Sequence, residues 1–141
     1  MKKTVGIVFG TFAPLHRGHV DLIQRAKKMF DKVIVIVSGY KDDRGDKIGL
    51  KLNKRFRYVR EAFAGDEVIS VTSLDETLIP RYPDGWEPWL KKLQESAGWD
   101  DQKFDYTFVV SEIEYKDELE KRGYKVFYGE RTLGISATMI R

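Results

Sequence analysis

The stretch VGIVFGTFAPLHRGH, residues 5–19, decides the fold class of this 141-residue chain. It opens with a short apolar run that ends at Gly10, and such a run is typical of a strand buried on both faces. A loop follows, and from Leu22 onwards the apolar residues recur at helical spacing. The next apolar run, residues 33–37, is β-branched throughout and predicts a second buried parallel strand. The segment therefore predicts a β-α-β unit.

The same alternation continues along the chain. Three further strands are predicted over residues 67–74, 106–110 and 124–128, with helices between them. The last of these helices is charged, covers residues 113–122 and is closed by Gly123. Alternating strands and helices predict an α/β fold with a doubly wound, five-stranded parallel sheet. In such sheets, ligands bind at the carboxyl ends of the strands, near the switch in strand order.

Two long segments, residues 38–53 and 75–88, are predicted as loops. The first leads to a helix whose buried stripe is Phe56, Val59 and Phe63. The basic residues of this region are expected off that stripe; they are Lys51, Lys54, Arg55, Arg57 and Arg60. Because a charge run is usually a solvated face, at most one of them is expected to contact a phosphate.

Composition excludes several classes of protein. The chain has 25 Lys and Arg against 22 Asp and Glu, with 42% hydrophobic residues, which predicts one folded domain over residues 1–141. No run of about 18 apolar residues and no signal peptide is visible, so we expect a cytoplasmic protein without a membrane segment. Without cysteine, and with two histidines, any metal is expected to arrive with a substrate. No basic tail supports nucleic-acid binding, and small anionic ligands fit the charge better.

The loop after the first strand has the features of an anion site. Gly10 permits a sharp turn, Pro14 stiffens the loop and Gly18 permits close approach of a phosphate. His16 and His19 are three residues apart, so they share one face of the first helical turn. Either histidine alone would be interpreted as a cap or a packing residue. Both histidines of the chain fall at the expected ligand-binding point, which favours a functional pair.

Two motifs carry a resemblance. Residues 10–19 resemble the G-T-F-x-P-x-H-x-G-H signature of the nucleotidylyltransferase superfamily, whose H-x-G-H element also occurs in class I aminoacyl-tRNA synthetases. Residues 135–141 resemble the I-S-x-T-x-I-R element of the same superfamily. Ser136 is a good N-cap for a last helix, and the helix N-terminus and Arg141 would attract phosphates. The resemblance implies the Rossmann-like nucleotidylyltransferase fold of the HIGH superfamily.

Within that superfamily, the chain resembles the nicotinamide mononucleotide (NMN) adenylyltransferase domain of bacterial NadR-type proteins. Residues 82–89 resemble the family's Y-P-x-G-W-x-x-W segment, residues 111–112 its S-E pair and residues 130–132 its K-R-T. Two departures stand out. Thr11 occupies a position where other members often have Lys, and the chain stops at Arg141, where the family continues, often into a ribosylnicotinamide kinase domain. The resemblance therefore predicts a truncated or atypical chain.

The resemblance implies transfer of the adenylyl group of ATP, accompanied by Mg²⁺, to the 5′-phosphate of NMN, which gives NAD and pyrophosphate. A phosphate monoester is mostly dianionic at neutral pH and needs no general base. The expected catalytic residues are His16, His19 and Arg131. The expected ATP site adds Gly10, Thr11, Phe12, Gly18, Ile135, Ser136, Thr138 and Arg141. The expected NMN site consists of Phe12, Asp42, Asp43, Arg57, Tyr82, Trp86, Trp89, Ser111 and Glu112.

One tryptophan of the pair Trp86 and Trp89 is expected to stack on the nicotinamide, which is a pyridinium cation. Core packing is the alternative, and it suits Trp89 better than Trp86, which is predicted to lie in the loop before Pro88. Two other functions stay open at this point. One is a superfamily member that uses pantetheine phosphate or a cytidylyl donor, and the other is a module that senses NAD or ATP without turnover. A homo-oligomer and the use of nicotinic acid mononucleotide are also left open.

Overall fold

The computed structural model describes residues 2–80 and 85–129. Over this part of the chain, strands and helices alternate as the sequence predicts. The elements are β1 (Lys3–Gly10), α1 (Arg17–Met29), β2 (Lys32–Gly39), α2 (Arg44–Lys47), α3 (Leu52–Ala62), β3 (Ile69–Asp75), α4 (Trp86–Ala97), β4 (Phe104–Val110), α5 (Ile113–Lys121) and β5 (Lys125–Tyr128). The helix predicted near Ser136 lies outside the described residues.

The strands form one sheet in the order β3-β2-β1-β4-β5, and every neighbouring pair is parallel. The chain builds outward from β1 through β2 to β3, then crosses to the other side of β1 to add β4 and β5. The strand order therefore switches between β1 and β4, and the doubly wound parallel sheet is confirmed. The carboxyl ends of β1 and β4 form the position at which such sheets bind ligands.

Helices cover both faces of the sheet. Consecutive residues of β1 show this directly, because Ile7 packs into a cluster with residues of α4 and α5, while Val8 packs into a second cluster with residues of α1 and α3. Ile7 is 0% exposed and Val8 is 2% exposed. A strand covered on both faces needs no polar alternation, which explains the continuous apolar runs of β1 and β2.

Several boundaries differ from the prediction. Strand β2 continues through Gly39, and the segment predicted as a loop contains the four-residue helix α2, which Asp43 caps by accepting from the Asp46 N–H. Helix α4 begins at Trp86 rather than after Pro88. Proline is tolerated there because the N–H groups of a first helical turn have no partner within the helix. No helix in the described ranges is both long and apolar enough to cross a membrane.

The prediction for Arg55 is wrong. Its basic neighbours Lys54, Arg57 and Arg60 are exposed, but Arg55 is 2% exposed. Arg55 stands three residues after Leu52 and four before Val59, so it lies on the buried stripe of α3 and not beside it. Helical spacing alone indicated this position.

Candidate active site

A cavity of about 420 Å³ opens at the carboxyl ends of β1 and β4, where the strand order switches. Its walls come from the loop after β1, the start of α1, the segment after β4 and the first turns of α4 and α5. Eight of the predicted site residues line it: Gly10, Thr11, Phe12, His19, Trp86, Trp89, Ser111 and Glu112.

The two histidines form one unit at the start of α1. His16 caps the helix, because its Nδ1 accepts from the Gly18 N–H at 3.0 Å, and the His19 Nδ1 accepts from the His16 N–H at 3.1 Å. The rings stack with centroids 3.7 Å apart. A ring nitrogen that accepts a hydrogen bond carries no proton, so a neutral imidazole in this arrangement has its N–H at Nε2. The capping role and a functional role therefore use different nitrogens of the same rings.

Phe12 fixes the loop between β1 and α1. Its φ angle of 48° is in the left-handed region, which bulky residues rarely adopt, and such a conformation costs about 1–3 kcal/mol. The side chain is nevertheless 2% exposed, and its ring meets the His19 ring at a centroid distance of 4.7 Å. Burial of the ring thus holds the backbone in this conformation and orients His19 at the same time.

Arg55 contacts the same loop through the Thr11 carbonyl. Its role was not predicted from the sequence. Its Nη1 donates to the backbone oxygens of Thr11 at 2.8 Å and Ser38 at 3.0 Å, and its Nε donates to that of Leu50 at 2.7 Å. Its Nη2 forms an ion pair with Asp43 Oδ2 at 2.8 Å, and both side chains are almost fully buried. The guanidinium therefore connects the ends of β1 and β2 with the segments that precede α2 and α3.

Asp43, predicted to contact a ribose, is buried, and both of its carboxylate oxygens bind the protein itself. Oδ1 accepts from the Asp46 N–H, while Oδ2 accepts from the Tyr40 N–H and from Arg55. Burial raises the pKa of Asp43, but these two backbone donors and the Arg55 charge outweigh it, so the pKa lies below its ordinary value of 3.8. Asp43 is thus ionised and internally paired.

Two other predicted NMN contacts lie away from the cavity. Asp42 is exposed, has a φ angle of 65° and is bound through its backbone N–H to the Asp46 carboxylate. Arg57 is exposed on α3, where its guanidinium lies 5.5 Å from the centroid of the Tyr58 ring. The structure does not bring either residue to the histidine pair. Other predicted residues lie outside the described residues: Tyr82, Arg131, Ile135, Ser136, Thr138 and Arg141.

Four aromatic side chains that contact one another, Phe9, Trp86, Trp89 and Tyr115, line another part of the cavity. Phe9 meets Trp89 and Tyr115 edge-to-face, at centroid distances of 5.0 and 5.2 Å, and Trp86 meets Trp89 at 5.6 Å. Trp86 is 9% exposed and carries the Arg122 guanidinium 5.6 Å from its ring centroid. Trp89 is less buried than Trp86.

The charged residues among the described lining are Glu76 and Glu112. Burial raises the pKa of Tyr115, and the charges of these two glutamates raise it further, so its hydroxyl stays protonated at neutral pH. This side of the cavity therefore favours a cationic or hydrogen-bond-accepting group. Within residues 2–80 and 85–129, no group of three or more His, Asp or Glu side chains is placed to hold a metal ion.

A doubly wound sheet with the H-x-G-H turn at its switch point is the arrangement expected of a nucleotidyltransferase. The Cytidylyltransferase-like family matches residues 7–141, and the chain belongs to this family. The resemblance to NadR-type proteins is confirmed by relatives that cover the chain.

The NadR protein of Salmonella typhimurium, a trifunctional NAD biosynthesis and regulator protein, is 30% identical over 99% of this chain and 37% of its own length. A crystal structure of a NadR protein in complex with NAD and AMP-PNP has a TM-score of 0.82 and 44% identity, over 99% of this chain and 42% of that one. The chain thus spans about two fifths or less of these NadR proteins. The phosphopantetheine adenylyltransferase of Aromatoleum aromaticum is 37% identical over 100% of this chain and 82% of its own length.

Proposed function

We propose that residues 1–141 form an NMN adenylyltransferase domain, which acts in the cytoplasm. An oxygen of the NMN 5′-phosphate attacks the α-phosphorus of ATP, the bond to the bridging oxygen of the β-phosphate breaks, and NAD and pyrophosphate form. The observation that carries the proposal is the stacked His16–His19 pair, whose His19 lines a cavity that aromatic and acidic side chains also line.

The reaction requires alignment of two anions and stabilisation of the charge that spreads over the transferred phosphoryl group. The dianionic acceptor is already a nucleophile, so the protein needs donors rather than a base. In this proposal the Nε2–H groups of His16 and His19 donate to the phosphates, together with backbone N–H groups of the loop after β1. The remaining ATP contacts come from Arg131, Ile135, Ser136, Thr138 and Arg141.

Magnesium would accompany ATP. Magnesium that arrives with a nucleotide is coordinated largely by phosphate oxygens and water. Its contribution when bound is neutralisation of phosphate charge. The donors of the protein would form hydrogen bonds with the phosphate oxygens that face the loop after β1.

The acceptor end of the cavity supports NMN. Trp89 is the better candidate to stack on the nicotinamide, because Trp86 is nearly buried and one of its faces carries Arg122. A cation over an indole gains about 0.5–2 kcal/mol. Glu76 and Glu112 add attraction for a pyridinium cation and repel the extra carboxylate of nicotinic acid mononucleotide. Tyr82, Ser111 and Glu112 complete the proposed NMN site.

Phosphopantetheine is the second candidate acceptor, because the match to the phosphopantetheine adenylyltransferase of Aromatoleum aromaticum covers 82% of that protein. The pantetheine arm is uncharged and would gain little from the aromatic side chains and the two glutamates. The test is a panel of acceptors at equal concentration, namely NMN, nicotinic acid mononucleotide and 4′-phosphopantetheine, with ATP and Mg²⁺ and product analysis by liquid chromatography. We expect NAD as the main product. Preferential adenylylation of phosphopantetheine would replace the proposal, and binding of NAD without turnover would indicate a sensing module.

A further inference from the structure

Arg55 and Asp43 form a buried pair whose contacts lead to the loop that carries the histidines. The guanidinium uses all three of its nitrogens and reaches four chain segments, through Thr11, Ser38, Asp43 and Leu50. Buried charges are costly to maintain, and stability alone would be served as well by apolar residues of similar volume. The pair is therefore a candidate for a role in positioning.

The surroundings are shaped for the planar guanidinium. A Cβ atom placed on Gly39 would lie 2.5 Å from Arg55 Nη2, and one placed on Gly45 would lie 2.6 Å from Arg55 Nε. Both distances are far below van der Waals contact, so these two glycines leave room that the guanidinium fills. A lysine ammonium carries all of its donors on one nitrogen, so it cannot reach all the acceptors that surround the guanidinium plane.

The carbonyl groups of Gly10, the last residue of β1, and of Thr11, the residue after it, are each held by a side chain. The Ser38 hydroxyl donates to the Gly10 oxygen at 3.2 Å, and Arg55 donates to the Thr11 oxygen at 2.8 Å. The C=O and N–H of a trans peptide point in opposite directions. Thr11 and Phe12 line the cavity, whereas Arg55 does not. The fixed Thr11 carbonyl therefore directs the Phe12 N–H away from Arg55.

We infer that Arg55, held in place by Asp43, is a positioning residue: it fixes the peptide between Thr11 and Phe12 so that the loop presents its N–H groups and the histidine pair to a phosphate. The catalytic consequence rests on the proposed function. The fixed loop itself does not, and can be measured without substrate.

The test variant is Arg55→Lys, which keeps the positive charge beside Asp43 and removes the fork. The matched control is Arg60→Lys on the exposed side of the same helix. Hydrogen exchange is followed by mass spectrometry in the protein alone, for peptides that cover residues 10–16 and, as a reference, residues 113–121. We expect exchange at residues 10–16 to accelerate at least tenfold in Arg55→Lys, with no change at the reference or in the control. Equal acceleration in both peptides, or none, would overturn the inference.

Kinetics with ATP and NMN supply the second measurement. A smaller folded fraction lowers the apparent kcat but leaves each KM unchanged, whereas a displaced loop also raises KM. We expect kcat to fall at least tenfold and both KM values to rise at least threefold in Arg55→Lys. Unaltered kinetics despite a faster-exchanging loop would refute the catalytic role. A parent without adenylyl transfer but with the predicted exchange pattern would refute the proposed function and leave the fixed loop standing. If Arg55→Lys does not fold, Asp43→Asn undergoes the same measurements with the same expectations.

Discussion

One ring nitrogen of His19 belongs to the helix cap and the other has a proposed role in the reaction, so a substitution can separate the two. The Nδ1 atom accepts from the His16 N–H and belongs to the helix cap. The Nε2–H is the donor proposed for the phosphoryl transition state. Asparagine carries its Oδ1 acceptor the same number of bonds from Cα as His Nδ1 but has nothing that corresponds to Nε2. We therefore expect His19→Asn to keep the hydrogen bond of the helix cap and to lower kcat.

The magnitudes of the two effects differ. Removal of one donor that acts in the transition state lowers kcat by roughly 10²–10³-fold, which is about 2.7–4 kcal/mol. Loss of the ring contacts with His16 and Phe12, at 3.7 and 4.7 Å, costs about 0.5–1.5 kcal/mol of stability and lowers Tm by a few degrees. His19→Ala also loses the cap acceptor, which costs about 1 kcal/mol more. The two variants should thus have similar kcat values and different stabilities.

The assay measures NAD formation at saturating ATP and NMN, with urea unfolding of the same preparations. Gln24→Ala, an exposed change on the same helix, is the control and should leave kcat and stability unchanged. Turnover by His19→Asn within threefold of the parent would show that Nε2 has no part in the reaction. A loss of stability in His19→Asn as large as in His19→Ala would show that the cap assignment is wrong.

Three further expectations concern other parts of the site. Trp89→Ala should raise KM for NMN by several-fold to about 30-fold and leave KM for ATP unchanged, whereas Trp86→Ala should mainly lower Tm; equal KM effects in steady-state kinetics would refute the choice of Trp89. Because the folded-state pKa of Asp43 is depressed, its stabilising contribution is complete above the unfolded pKa and is lost as pH falls through the lower folded value. The free energy of unfolding of the parent should therefore fall more steeply below about pH 4 than that of Asp43→Asn, and parallel urea-denaturation curves would contradict this. Arg141→Ala should weaken ATP binding much more than NMN binding, and equal weakening in calorimetry would exclude a role at the triphosphate.

The sheet and the histidine loop could be predicted because their signals are local. The apolar run before Gly10 and the helical spacing after Leu22 occur within about 20 residues, and each reflects burial on one element. Parallel strands buried on both faces then leave few arrangements, and the site falls at the strand ends in all of them.

The Asp43–Arg55 pair could not be predicted with the same rules. Because both side chains are charged, the sequence predicts that they contact water or a ligand. In the structure each is buried, since they form an ion pair with each other and Arg55 also donates to backbone oxygens of distant segments. Such compensation depends on tertiary contacts between residues up to 44 positions apart. The four-residue helix α2 is likewise too short to have a periodic pattern, and only its Asp43 cap marks it.

Adenylyl transfer to NMN, the activity proposed for this domain, can be followed by the position of an isotopic label. The protein is incubated with NMN, Mg²⁺ and ATP labelled at the α-phosphorus, and the products are separated by chromatography. We expect the label to move into NAD, one pyrophosphate to appear for each NAD, and His19→Asn to abolish most of this transfer. Label that stays in ATP or appears only in AMP, or NAD that forms equally with His19→Asn, would contradict the proposal.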